Sequence, residues 1–418
     1  MTVRRLPLCV AAAALGSLGA AVWAQPAQVV KPPVAQAWID VATFGGMGMP
    51  MGMPGGGGGN PMAALGSLFG RGGAAANHFG QTQAMSPGRW VDVTLTTRNN
   101  PQLAEAEQSV PAGFLSPALK LQSPKETRGT APDPGDERAT EPDYERPKGK
   151  LLLYWGCGEA VLAGQPRVVD FATATPAELG RFFQSRRATQ RGTHAAAGRP
   201  VWPSVADTRI VPEQASLVGE HAFSGQGVPE GFRFQLGAAQ DLMPPIALKQ
   251  TDAAGSTLLE WQALPQARAY FISAMGMREN NEMVVWTSSE QPDIGFGLLD
   301  YQTNPAVDRW LKEQVLLTPQ TTRCAVPQGV FSGEGAMLRM IAYGNELNLA
   351  QPPRPTDARV PWEPVWAAKV RVKSVTMAML GMETPEGAPA ETPAAATEPA
   401  REEKKPGVKD LLKGIFGR

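Results

Sequence analysis

The chain has 418 residues, 43% of them hydrophobic and 19% charged, with 45 glycines and 39 prolines. That apolar content supports a packed core over part of the length, and it excludes a wholly disordered chain, a collagen-like fibre and a protein of many membrane spans. Basic and acidic residues both number 39, which argues against a strongly basic nucleic-acid binder.

Arg4 and Arg5 precede an apolar run from Leu6 to Ala21, and Val22-Trp23-Ala24 supplies a signal-peptidase site. The pattern predicts a signal peptide over residues 1–24 and an exported, periplasmic chain beginning at Gln25. The run is shorter than the ~20 residues a bilayer span needs, and no later stretch is apolar enough, so no transmembrane span is expected in the mature chain. Cys9 leaves with the leader. Cys157 and Cys324 then remain in an oxidising compartment, where a disulfide between them and two separate buried thiols both fit.

Composition divides the rest. Residues 25–87 read as a Gly/Met/Pro-rich arm, because FGGMGMPMGMPGGGGGN and its surroundings hold too many glycines to offset the entropy of ordering. Residues 88–243 read as a first β-rich domain containing a charged, disordered loop at 123–149. Residues 244–382 form a second block, followed by an Ala/Pro/Glu linker (383–406) and a short basic tail (407–418).

In the first block Val91, Val93 and Leu95 alternate with Asp92 and Thr96, the period of a half-buried strand. Leu151 onward is apolar on both faces and predicts a doubly covered strand. Thr175-Pro176-Ala177-Glu178 has capping-box spacing with proline at the first helical position, so a helix starts there. Phe232, Phe234 and Leu236 alternate as a further strand.

In the second block Thr257-Leu258-Leu259-Glu260-Trp261 is followed by Tyr270-Phe271-Ile272-Ser273-Ala274. Met283–Ser288, Arg323–Pro327, Met337–Gly344 and Lys369–Ser374 supply later strands, and Asn304-Pro305 opens a helix through Leu311. The Trp261 and Tyr270 segments resemble the second and third strands of a fibronectin type III-like or immunoglobulin-like β-sandwich. That resemblance, over about 244–375, implies binding or spacing more often than catalysis, and the helix is a departure from it. The expected fold class is therefore mainly β: two β-sandwich-like domains with one or two short helices and disordered arms.

Candidate sites are few. Met47, Met49, Met51 and Met53 place thioethers at every second residue, a donor type that suits Cu(I) or Ag(I). Arg181–Arg199 is basic and suits an acidic partner, but no interleaved aromatic platform accompanies it in sequence. In the tail, Leu411, Leu412, Ile415 and Phe416 recur at helical spacing beside lysines, suiting a membrane surface or a partner groove. No catalytic motif is present. His78, His194 and His221 are the imidazoles; a hydrolase would use His221 with a nearby acid, Glu220 or Asp241, and with Ser224. Asp293, Asp300 and Asp308 have no spacing that forces them together. The sequence thus points to a non-catalytic binding or scaffolding protein without a cofactor, its partner an envelope protein, a polysaccharide or a membrane surface. Metal binding through the Met-rich arm and hydrolysis at His221 are the alternatives.

Overall fold

A computed structural model describes residues 28–46, 77–125, 149–189, 192–253, 255–278, 282–331 and 335–381. The expected signal peptide with Cys9, the Met47–Met53 tract, most of the charged stretch 123–149, residues 383–406 and the C-terminal segment with Leu411, Leu412, Ile415 and Phe416 lie outside the described residues.

The protein is mainly β. Its strands in chain order are β1 (Ala35–Gly46), β2 (Gly88–Thr97), β3 (Glu105–Ser109), β4 (Ala118–Gln122), β5 (Lys150–Trp155), β6 (Arg167–Asp170), β7 (Val201–Trp202), β8 (Gly219–Gly225) and β9 (Arg233–Leu236). They continue with β10 (Lys249–Ala253), β11 (Ser256–Glu260), β12 (Ala269–Arg278), β13 (Glu282–Thr287), β14 (Arg323–Val326), β15 (Met337–Tyr343), β16 (Leu347–Gln351) and β17 (Trp366–Met379). Among the described residues three short helices intervene: α1 (Gln81–Ala84), α2 (Pro176–Phe182) and α3 (Asn304–Lys312). Among the described residues, a 14-stranded sheet runs β6-β5-β13-β12-β15-β17-β1-β2-β7-β4-β3-β8-β9 with β16 also on β17, and a 3-stranded sheet runs β10-β11-β14.

The middle of the large sheet corrects one sequence expectation. Residues 35–46, read as part of the Gly/Met/Pro-rich arm of 25–87, form β1, which pairs in parallel with β17 from Ala35↔Trp366 to Gly46↔Met377 and antiparallel with β2 from Ala35↔Thr97 to Phe44↔Gly88, and α1 falls within the same expected arm. Ladders on both sides satisfy the backbone, and Ile39, Val41, Ala42 and Phe44 are all buried. That burial offsets the ordering entropy which glycine content alone makes unfavourable. The two blocks read from sequence also share this sheet, because β5 of the first pairs in parallel with β13 of the second.

Period-2 alternation sends two sets of side chains to opposite faces. One face carries Ala37, Ile39, Val41, Val93, Leu95, Val370, Val372, Met340, Ile272 and Trp286 in the main core. The β7–β9 end contributes to that core, with Phe232 stacked on Trp366 at 4.9 Å between centroids. The small sheet adds Leu259 and Val326, and the adjoining Trp261 meets Tyr270 edge-on at 5.6 Å. β5 is buried on both faces: Leu152 and Tyr154 join the main core, while Leu151 and Leu153 pack with Val169, Phe182 and Val285. The α2 start is as its sequence predicts, Glu178 N–H donating to Thr175 Oγ1 at 3.3 Å and Thr175 N–H to Glu178 Oε2 at 2.8 Å.

Cys157, in the turn after β5, is disulfide-bonded to Cys324 on β14, with the two Cα atoms 5.1 Å apart at a sequence separation of 167. The bond ties the small sheet to the large one. Converting both cysteines to serine is expected to lower the unfolding free energy by about 3–5 kcal/mol through the freed chain entropy of so long a loop. Urea titration of wild type and double variant measures this, and coincident midpoints would contradict it.

Candidate functional site

The second face of the central strands is buried too, and beside an apolar cluster that includes Ala42, Phe44, Ile341 and Val375 it carries charged groups. Asp40 of β1 lies opposite Arg371 of β17 on one side and Asp92 of β2 on the other. The Arg371 guanidinium donates to Asp40 through two nitrogens, Nε to Oδ1 at 2.7 Å and Nη2 to Oδ2 at 2.6 Å. Burial alone pulls the Arg371 pKa down, but the Asp40 charge and its hydrogen bonds outweigh it and hold the guanidinium firmly protonated. Lys373, one turn of the pleat along, is 1% exposed and pairs with Asp300 at 2.8 Å. Burial draws the Lys373 pKa down against that pairing. For Asp300 burial pushes up, and the Lys373 charge overcomes it, leaving the carboxyl below its ordinary range.

Tyr301 roofs both cations. Its ring centroid is 4.3 Å from Arg371 Cζ and 4.2 Å from Lys373 Nζ, and its hydroxyl donates to the Val41 carbonyl at 2.9 Å. Burial raises the phenol well above its usual pKa. Nearby, Arg339 donates to the Leu299 carbonyl at 2.7 Å, and the Tyr343 hydroxyl donates to that of Leu298. Asp92 accepts from Gly80 N–H at 2.9 Å, Thr82 N–H at 3.1 Å and Thr82 Oγ1 at 2.5 Å, which pins α1 to β2.

These groups hold a strap, residues 183–189 and 192–195, across the face. Asp40 Oδ2 accepts from Thr193 N–H at 3.0 Å and Oγ1 at 2.8 Å. Gly192 is demanded here, since a Cβ at that position would sit 1.7 Å from Arg371 Nη2. Thr189 Oγ1 donates to the Tyr301 carbonyl at 2.7 Å, and Ala188 N–H to Gln302 Oε1 at 2.8 Å. At the other end, the buried Asp293 accepts from Ser185 Oγ at 2.9 Å, from Arg186 N–H at 3.1 Å and Nη1 at 3.0 Å, and from Gly295 N–H at 2.8 Å. One carboxylate thus joins the strap to the 293–302 loop.

The consequence is an aromatic row that the sequence conceals. Phe183 on the strap lies 6.4 Å from Phe296 on the loop and 6.3 Å from Phe171 after β6, at interplanar angles of 28° and 14°. Phe182 buries itself beneath, edge-on to Phe183 at 5.5 Å. Phe183 is 36% and Phe296 46% exposed, and the exposed Arg181 and Arg187 lie on either side of Phe183 in sequence. Beside α2 a cavity of about 510 Å³ is lined by Arg167, Asp170, Thr173, Glu178, Arg181 and Phe182. Phe182 and Phe183 lie within the basic stretch Arg181–Arg199 itself, while Phe171 and Phe296 join them from two other segments, so no local pattern records the whole row.

The remaining sequence candidates do not converge. His221 is fully buried; its Nε2 faces the Leu217 carbonyl at 2.7 Å and its Nδ1 the Gln108 amide nitrogen at 3.0 Å. The carbonyl only accepts, so Nε2 carries the proton and Nδ1 accepts from Gln108. Burial lowers the imidazole pKa. Glu220 and Ser224 are exposed, and Asp241 accepts from Ser216 Oγ, Leu217 N–H and Leu242 N–H at 2.7, 2.7 and 2.8 Å. Asp293, Asp300 and Asp308 serve three different cations, Arg186, Lys373 and Arg268. His194 lies beside Trp38, over which Arg199 stacks at 5.2 Å, and His78 meets the Gln81 amide. Among the described residues no group of three or more His, Cys, Asp and Glu side chains is placed to hold a metal ion. No family model, curated protein or solved structure matches the chain.

Two measurements probe this arrangement. Burial pushes the Asp92 carboxyl from its ordinary 3.8 up to about 6, with the Asp40 charge adding and the hydrogen bonds from Thr82 and Gly80 opposing. The folded protein therefore holds this proton more tightly than the unfolded chain, and the Asp92 contribution to stability falls as pH rises between about 4 and about 6. Between pH ~4 and pH ~7 the wild type is expected to lose about 2 kcal/mol relative to Asp92→Asn; urea unfolding of both proteins at the two pH values tests the sign. In the loop, a Cβ on Gly297 would lie 2.2 Å from the Arg186 carbonyl oxygen. Gly297→Ala is expected to cost about 1–3 kcal/mol by overpacking, while Gly180→Ala, in open space on α2, is expected to be neutral or stabilising. Thermal melts of the two variants make the comparison.

Proposed function

We propose that this is an exported, non-catalytic binding or scaffolding protein of the envelope, whose contact surface is the Phe171–Phe183–Phe296 row with Arg181 and Arg187. The observation that carries the reading is the exposure of Phe183 and Phe296 on segments held in place by the buried Asp293. An apolar row costs free energy when left in water, and this one is assembled with several hydrogen bonds of support. The export part of the reading rests on the leader pattern of residues 1–24.

Of the three partner classes, an acidic polysaccharide fits this surface best. Ring faces stack on the C–H faces of sugars, and guanidinium groups pair with uronate carboxylates through two hydrogen bonds. A hydrolase reading would need His221 to take a substrate proton, and its two ring nitrogens already face Leu217 and Gln108. Affinity electrophoresis in gels containing polygalacturonate is the test. Wild type is expected to be retarded, with Phe183→Ala/Phe296→Ala abolishing the retardation and added salt or Arg181→Gln/Arg187→Gln reducing it. Equal mobility of wild type and the phenylalanine variant would overturn the assignment of the surface.

A further inference from the structure

The polar face of the large sheet ends in sulfur. On β12, Met275 and Met277 point to the same face as Phe271 and Ser273, by strand alternation. Register places Met275 opposite Met337 of β15, Met337 opposite Met379 of β17, and Met277 opposite Met283 of β13. Directly opposed side chains on one sheet face have Cβ atoms about 4.5–5.5 Å apart. Met275, Met337 and Met379 therefore form a line across three neighbouring strands. The Met277–Met283 pair stands two residues farther along β12, about 7 Å away.

Two of the five stand well out in solvent. Met275 is 42% and Met277 60% exposed, and Met283, Met337 and Met379 are half-buried. Met283 packs partly against the cluster around Leu151, Leu153 and Val285, but Met275 and Met277 gain little from burial where they stand, and their alignment with Met337 and Met379 needs another account. Each thioether swings on three torsions, and spacings of this size let two or three sulfurs meet one ion. The five side chains offer sulfur alone, a soft donor set that selects Cu(I) over the hard or borderline divalent ions. Arg339, two residues along β15, turns its guanidinium to the Leu299 carbonyl.

We propose that Met275, Met337 and Met379, with Met277 and Met283 adjoining, form a binding site for a soft monovalent cation, Cu(I) or Ag(I). The site is distinct from the aromatic row and does not rest on it. It is also distinct from Met47, Met49, Met51 and Met53.

Silver ion is the redox-inert probe. The test uses the full chain labelled with [methyl-13C]methionine and carrying Cys9→Ser, so that no free thiol competes; Cys157 and Cys324 are already joined. One equivalent of Ag(I) is expected to shift the methyl resonances of Met275, Met337 and Met379. Met275→Leu/Met337→Leu/Met379→Leu, which preserves volume, is expected to weaken Ag(I) binding at least about tenfold, a loss of about 1.4 kcal/mol. Met340→Leu, on the opposite face, is expected to leave it unchanged. Should the triple variant fail to fold, the wild-type methyl shifts decide alone. Absence of those shifts would overturn the site, as would undiminished binding by a folded triple variant. Complete loss of binding in Met47→Leu/Met49→Leu/Met51→Leu/Met53→Leu would also overturn it, by moving the ligands to the other tract.

Discussion

The Asp40–Arg371 pair, nearly sealed from water on the central strands, is the constraint around which the polar half of the molecule is arranged. Desolvating two such ions costs several kcal/mol each, and a well-packed apolar pair of equal volume is often no less stable. What the ionic pair adds is direction. Asp40 still has capacity for the Thr193 amide and hydroxyl, and Arg371 offers a guanidinium plane under the Tyr301 ring. An apolar substitute would cover the strands without specifying which loop crosses them, or where. Removing one partner alone would strand a buried charge, at about 3–5 kcal/mol.

From that pair the order spreads outward along two segments that cross the face together. The 293–302 loop is anchored by Asp300 on Lys373 and by Tyr301 on the Val41 carbonyl. The strap is anchored at Thr193, Thr189, Ala188 and Ser185. Asp293 closes the arrangement by accepting from both. Phe183 and Phe296 sit at this far junction, so their mutual position is set by a chain of polar contacts reaching back to the sheet. A surface built this way is preorganised, which lowers the ordering cost of binding a partner.

Much of the fold was legible in the sequence, and for a definite reason. β2, β9, α2 and α3 follow from local periodicity and capping, which depend only on near neighbours. Val370 and Val372 alternating with Lys369, Arg371 and Lys373 correctly read as a strand. Its polar face, however, conventionally signals solvent, whereas Arg371 and Lys373 are buried. Their anions, Asp40 and Asp300, lie far away in sequence, and no local pattern announces such a pairing. The same limit hid residues 35–46: glycine content describes the intrinsic cost of ordering, while two long-range ladders determine whether it is met.

The candidate surfaces were less legible still, because each depends on register or on juxtaposition of distant segments. Phe171, Phe183 and Phe296 are individually unremarkable apolar residues, and only the strap crossing makes them a row. Gly192 and Gly297 show the limit most sharply. Neither adopts a left-handed backbone, so the usual turn argument for glycine does not apply to them. What each position demands is the absence of a side chain, at Gly192 because Arg371 occupies the space and at Gly297 because the Arg186 backbone does. The information resides in the partner. A methionine on β12 is likewise a spare apolar residue until pairing with β15 and β17 sets it in a line of thioethers, and it is that alignment, not methionine content, from which a chemistry can be argued.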